Sequence, residues 1–146
     1  MTDSETAHEL NLLILKTRMT FRQTIQRLLK SNNVDMTFEM LQVMHCLWKE
    51  QGVSQQTLAE KTAKDKACLT NLINNLEKKG WVVRREDTSD RRNKLIFLTP
   101  EGITVADKVK SILKDMYTLV GEQMNTRHME ACIKHLKKLN KIFDKV

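Results

Sequence analysis

The chain predicts a mainly α-helical fold broken once by a small β-hairpin, and three observations carry that expectation. Apolar residues recur at three- and four-residue steps through the first 50 residues and again beyond residue 100. Two β-branched and aromatic runs, Trp81-Val82-Val83 and Leu95-Ile96-Phe97-Leu98, flank a charged loop. One proline and four glycines in 146 residues leave little room for a loop-rich all-β fold.

Taken in order, the first helix is predicted from about Thr6 to Lys30. Leu10, Leu13, Ile14, Phe21, Ile25, Leu28 and Leu29 form its apolar stripe, and Ser31-Asn32-Asn33 stops it. Thr37 caps a second helix whose inward face is Phe38, Leu41, Met44, Leu47 and Trp48, with Gly52 as its end. Ser54-Gln55-Gln56-Thr57 opens a short third helix, although Thr57 replaces the Glu or Gln of a full capping box. Asp65 caps a fourth helix running to Lys79, with Leu69, Leu72, Ile73 and Leu76 inward and Gly80 as its stop. Strands follow at Trp81–Arg85 and Lys94–Leu98, joined by the loop Glu86–Asn93. Thr99-Pro100 starts a fifth helix with Thr as cap and Pro at the first helical position, where a missing N–H costs nothing. Val105, Val109, Ile112, Leu113, Met116 and Val120 mark its stripe; Met129, Cys132, Ile133, Leu136, Leu139 and Phe143 mark a sixth.

The third and fourth helices, joined by Thr62-Ala63-Lys64, have helix-turn-helix spacing, and the hairpin after them makes a wing. Charge is concentrated there. The chain carries a net charge of +7, and residues 61–94 hold ten Lys/Arg against five Asp/Glu, while residues 1–60 hold six against seven. Residues 126–146 are also basic, six against two, which serves solubility or extends the positive field. A helix suits the major groove of duplex DNA, and arginines on the wing suit the adjacent minor groove, where negative potential concentrates. The side chains expected to touch DNA are Ser54, Gln55, Lys64, Lys66, Ala67, Thr70, Asn71, Asn74, Arg84, Asp90, Arg91, Arg92 and Lys94. Asn bonds adenine in a bidentate fashion, Thr meets a base or a thymine methyl, and Lys serves phosphate or guanine. The bland alternatives are a solvated helix face and, for Asp90 with Arg92, a surface ion pair that stiffens the hairpin.

Leu58-Ala59-Glu60, the run from Leu69 to Val82 with its Leu-Glu-Lys-Lys-Gly, Asp90-Arg91-Arg92, and Leu98-Thr99-Pro100-Glu101-Gly102 together resemble the multiple-antibiotic-resistance regulator (MarR) family. The resemblance covers essentially the whole chain. It implies a winged helix-turn-helix homodimer with interleaved terminal helices and two lobes on a palindromic operator. It further implies repression relieved by a small ligand, often phenolic or lipophilic, or by oxidation. Residue by residue, Arg92 resembles the wing-tip arginine that enters the minor groove, with Asp90 orienting the loop and Arg91 near the backbone. Ala67 and Cys68 stand where Ser or Thr is frequent in the family, and Asn71 where Arg is frequent, so the operator sequence does not transfer. The chain divides accordingly into an N-terminal dimerisation helix (1–36), a DNA-binding region (37–100) and C-terminal dimerisation helices (101–146) within one structural domain.

Sensor chemistry is less constrained. The family's ligand pocket lies between the dimer helices and the DNA-binding lobe; Met19, Met40, Met44, His45, Trp48 and Met116 are candidates to line it for a small-molecule inducer, the alternative being ordinary core. Cys46, Cys68 and Cys132 are widely spaced without a CxxC pair, and reduced thiols are the expectation. Cys68, near the start of the fourth helix between Lys64, Lys66 and the helix body, is the one suited to redox sensing. His128, Cys132 and His135 share one helix face, a start for a zinc site that lacks an evident fourth ligand. No Gly-rich phosphate loop, HExxH or nucleophile elbow is present, so no enzyme activity and no cofactor are expected. A winged helix that binds another protein is disfavoured by the basic surplus at residues 61–94. No run approaches the roughly 18 apolar residues of a membrane span, and the acidic, polar start does not read as a signal peptide. A cytoplasmic, nucleoid-associated protein is the expectation.

Overall fold

The computed structural model describes residues 1–146 and shows nine elements: α1 (Asp3–Ser31), α2 (Phe38–Lys49), β1 (Val53–Ser54), α3 (Gln55–Lys61), α4 (Lys66–Lys78), β2 (Val82–Glu86), β3 (Lys94–Leu98), α5 (Pro100–Gln123) and α6 (Thr126–Phe143). They fall into two compact units, Met1–Val109 and Lys110–Val146. No helix is long and apolar enough to cross a membrane.

The starts of α2, α3, α4 and α6 are each set by a side chain that satisfies an amide the helix leaves unpaired. Thr37 Oγ1 accepts from Met40 N at 3.1 Å, Ser54 Oγ from Thr57 N at 3.0 Å, Asp65 Oδ1 from Cys68 N at 2.7 Å, and Asn125 Oδ1 from His128 N at 3.2 Å. The first helix begins earlier than its apolar stripe predicts, at Asp3. Thr2 and Glu5 form a reciprocal capping box, Thr2 N donating to Glu5 at 2.8 Å and Glu5 N to Thr2 at 3.1 Å, so the helix closes without any apolar residue.

The core of the first unit is built from α2 (Leu41, Val43, Met44, Leu47), α3 (Leu58), α4 (Leu69, Ile73, Leu76) and the inward face of the sheet (Val53, Val82, Ile96, Leu98). Ile25 and Leu29 of α1 and Ala106 and Val109 of α5 complete it. The part of α1 before residue 20 adds no buried side chain to this core: Leu10, Leu12, Leu13, Leu15 and Met19 are all exposed.

The sheet has three antiparallel strands in the order β1-β3-β2. β2 and β3 pair from Val82↔Leu98 to Glu86↔Lys94, the expected hairpin with its first strand moved one residue along the chain at both ends. β1 is an addition that the sequence pattern does not announce. Val53 and Ser54 pair with Ile96 and Leu95, and Gly52 N donates to Ile96 O at 2.9 Å. Gly52 therefore does not end α2, as expected from sequence. The helix already breaks at Glu50, whose backbone is extended (φ −150°, ψ 116°), and Gly52 leads the chain into the sheet.

Candidate nucleic-acid interface

The helix-turn-helix is a local consequence of its sequence. Ser54 Oγ accepts from Thr57 N and also donates to Thr57 Oγ1 at 2.9 Å, a side-chain bond that fixes the cap hydroxyl without the reciprocal half of a capping box. The turn to α4 passes through Ala63 at φ 53°, left-handed backbone in which an L side chain is strained, while Lys64 N reaches Ala59 O at 2.9 Å. Ala63→Gly is expected to raise stability by about 0.5–1 kcal/mol, because relief of the strain outweighs the looser unfolded chain. Urea unfolding of the two proteins checks this; a less stable glycine variant would place the strain elsewhere.

Burying Leu69, Ile73 and Leu76 turns the opposite side of α4 to solvent. That side presents Lys66, Ala67, Asn71, Asn74 and Asn75, all exposed, with Lys64 half-buried just before them. Thr70 is half-buried, its hydroxyl donating to Lys66 O at 2.8 Å and accepting from Gln55 Nε2 at 3.3 Å.

The wing tip is folded by its own acids. Asp87 accepts from Ser89 N at 3.0 Å and Ser89 Oγ at 2.7 Å, and these bonds hold its carboxyl below the ordinary value. Asp90 Oδ1 accepts from Arg92 N at 3.1 Å, Asn93 N donates to Asp90 O at 3.0 Å, and Asp87 N to Asn93 O at 3.1 Å. Asp90 thus orders the turn through the backbone amide of Arg92 and makes no ion pair with its guanidinium. Arg91 and Arg92 are both exposed, and neither guanidinium has a protein partner. Lys94 Nζ instead meets Glu86 Oε1 across the ladder at 3.2 Å.

Between wing and helices runs a groove of about 500 Å³, lined by Gln55, Gln56, Ala59 and the acidic Glu60 of α3, Lys66 and Leu69 of α4, and Arg92 to Lys94 of the wing. Of the residues expected to meet DNA, Gln55, Lys66, Arg92 and Lys94 line this groove. Ser54, Thr70 and Lys94 are also engaged within the protein, and Arg84 and Gln55 have other duties that spacing did not reveal. Arg84 pairs with Glu77 and donates through Nε to Gln55 Oε1 at 2.8 Å, so the side chains of both Arg84 and Gln55 are engaged within the protein. No sequence signal links them, since Gln55, Glu77 and Arg84 lie on three elements.

The candidate ligand-lining residues divide by burial. Met40 and Met44 are core side chains, Met19 and His45 are exposed, and Trp48 and Met116 are half-buried. The His45 and Trp48 rings meet edge to face at 5.1 Å. All three cysteines are free. Burial pushes the Cys46 thiol up against the opposing pull of Lys61 and Lys49, whereas Cys68 and Cys132 are exposed. His128, Cys132 and His135 are exposed on α6, and no three or more His, Cys, Asp or Glu side chains are grouped to hold a metal.

Comparison with known proteins matches the MarR family model over residues 36–94, from the approach to α2 through the start of β3. These residues are thus similar to the MarR family. The HTH-type transcriptional regulator SarZ of Staphylococcus haemolyticus is 31% identical over 83 residues, 57% of this chain and 56% of SarZ, so the chain spans little more than half of that relative. The solved MepR–DNA complex of S. aureus is similar over 92% of this chain and 97% of its own, at 25% identity and a TM-score of 0.83. The transcriptional regulator BldR from Sulfolobus solfataricus shares the fold over the full length of both chains, at 20% identity and a TM-score of 0.81. The matched stretch takes in α2, β1, the helix-turn-helix and the first wing strand, and the solved neighbours extend the likeness of fold to the flanking helices.

Proposed function

We propose that this protein is a dimeric, sequence-specific DNA-binding transcriptional regulator, acting as a repressor in the cytoplasm. In this reading α4 enters the major groove of a palindromic operator and Arg92 enters the neighbouring minor groove. The observation that carries it is the pair of arginines at the wing tip, exposed and without protein partners, beside the row Lys66, Ala67, Asn71 and Asn74. Unpaired guanidinium forks suit phosphate and narrow minor grooves, and the exposed amides suit adenine edges. Lys64, Thr70, Arg91 and Lys94 contribute to positioning on the backbone, and Asp90 does so indirectly by ordering the wing turn. MepR, similar in fold over nearly the whole chain, has been solved as a DNA complex, which supports the same use of this surface.

Dimerisation rests on the terminal helices. No residue of α6 is buried, and Ile133, Leu136, Ile142 and Phe143 are exposed, as are the leucines of the first half of α1. Apolar surface on this scale marks an association face. Light scattering at micromolar concentration is expected to give twice the chain mass; a monomer would leave these faces without a role. The dimer would seat its two recognition helices about 34 Å apart, one turn of DNA. Release by a small apolar ligand belongs to the same proposal, with the accessible Met19, His45 and Trp48 among its candidate contacts.

Selection of bound duplexes from a random pool, with and without phenolic compounds, tests the proposal. A palindromic consensus is expected, with affinity falling steeply between about 50 and 200 mM salt as counterions are released. Asn71→Ala and Asn74→Ala are each expected to relax preference at particular base pairs by about 1–3 kcal/mol while leaving the salt slope alone. Recovery of no enriched duplex would defeat the proposal.

A further inference from the structure

Arg84 differs from its neighbours in how its charge is used. Arg85 lies over the Phe97 ring at 5.8 Å, and Arg91 and Arg92 are unpartnered, but every arm of the Arg84 fork is spent inside the protein. From β2 its Nη1 pairs with Glu77 of α4, its Nε donates to Gln55 Oε1 of α3 at 2.8 Å, and its Nη2 reaches Thr70 O of α4 at 3.4 Å. Gln55 closes the circuit by donating through Nε2 to Thr70 Oγ1 at 3.3 Å. The Arg84 side chain is 20% exposed and that of Glu77 35%, so the knot is partly shielded from water and salt. It adds a polar tie to three elements that already share the apolar core: the wing, the supporting helix and the recognition helix.

We propose that Arg84 is a positioning residue for DNA reading: with Glu77 and Gln55 it sets the angle at which α4 is presented relative to the wing, without itself touching DNA. Thr70, on which the knot closes, is followed by Asn71, and one turn later by Asn74, on the exposed face. A small rotation of α4 moves these amides off the base edges, whose bidentate bonds tolerate little misalignment. A planar fork holding three acceptors in fixed directions suits such a role better than a flexible ammonium. Loss of the knot therefore reduces discrimination between duplexes more than it reduces attraction to the polyanion.

This inference rests on the DNA-reading proposal, and one experiment separates the two. Affinity for the selected operator and for a scrambled duplex is measured across a salt series for wild type, Arg84→Gln, Glu77→Gln, the double variant and Gln55→Ala, with thermal unfolding alongside. Arg84→Gln and Glu77→Gln are each expected to cut the operator-over-scrambled ratio about tenfold, the double variant no further than either single, because the two groups act as one unit. The salt slope stays at the wild-type value, since no phosphate contact is lost. Overturning results are a slope for Arg84→Gln smaller by about one with Glu77→Gln neutral, the mark of a direct phosphate contact, single effects that multiply in the double variant, or a lower unfolding temperature with the ratio intact. Should Arg84→Gln fail to fold, Gln55→Ala, which removes one uncharged partner, decides the matter: about a threefold fall in the ratio is expected for loss of one such bond, and an unchanged ratio overturns the inference. Wild-type protein that prefers no duplex defeats the parent proposal and this one together, whereas a wild-type preference that every variant retains defeats this one only.

Discussion

Gly102→Ala is expected to destabilise the protein by about 3 kcal/mol or more, lowering the unfolding midpoint by roughly 10 °C at matched protein concentration. A Cβ at this position would stand 2.0 Å from the carbonyl oxygen of Trp81 and 2.9 Å from its carbon. These are backbone atoms that no rotamer change can move. The contact sits at the joint where the wing hands over to α5. Thr99 N donates to the same Trp81 oxygen at 3.0 Å, Thr99 Oγ1 donates to Gly80 O at 2.5 Å, and Gly102 N donates back to Thr99 Oγ1 at 3.0 Å. Pushing the first turn of α5 away from Trp81 strains all three bonds and the adjacent Val82↔Leu98 pair. It also draws Ala106 and Val109, both buried, out of the core. A change below about 1 kcal/mol by urea unfolding would mean that α5 can shift at little cost, contrary to this packing.

Arg92→Ala is expected to act on binding and leave folding alone. The guanidinium makes no bond within the protein, and only the backbone amide of Arg92 is used, by Asp90. Truncating the side chain therefore leaves the turn in place, and the unfolding temperature is expected to stay within a degree or so of wild type, as for most exposed substitutions. Affinity for every duplex is expected to fall by roughly tenfold or more at low salt, and the dependence of log affinity on log salt to flatten by about one unit. Arg92→Lys should recover the slope and only part of the affinity, because an ammonium is more strongly hydrated than a guanidinium and fills a narrow groove less well. Equal affinity of wild type and Arg92→Ala for a defined operator would remove the wing from the mechanism.

Local rules account for much of this architecture. Thr37, Ser54 and Asp65 cap their helices as their positions require, because a cap is made within three residues. Gly80 ends α4 at φ 77° with Trp81 N bonded to Leu76 O, again a contact within one turn. The outward row of α4 follows from the inward one, since burying Leu69, Ile73 and Leu76 leaves the lysine and asparagines no other side. The start of α1 was missed because Thr2 and Glu5 close it without an apolar residue, and periodicity registers only burial.

What lay beyond the one-dimensional pattern has a common cause. β1 is two residues long, and its partners Ile96 and Leu95 are some forty positions away, so neither length nor alternation could mark it. Composition made Arg84 one more cation in a basic segment; folding brought it to Glu77 and Gln55 and turned its charge inward, while leaving Arg91 and Arg92 outward. Backbone preference and short-range hydrogen bonds act over a few residues, so helices, hairpin and the helix-turn-helix were written into neighbouring letters. Whether a given charge is paired, or a given glycine is pressed against a carbonyl, depends on elements meeting through space, and only the packed chain assigns those roles.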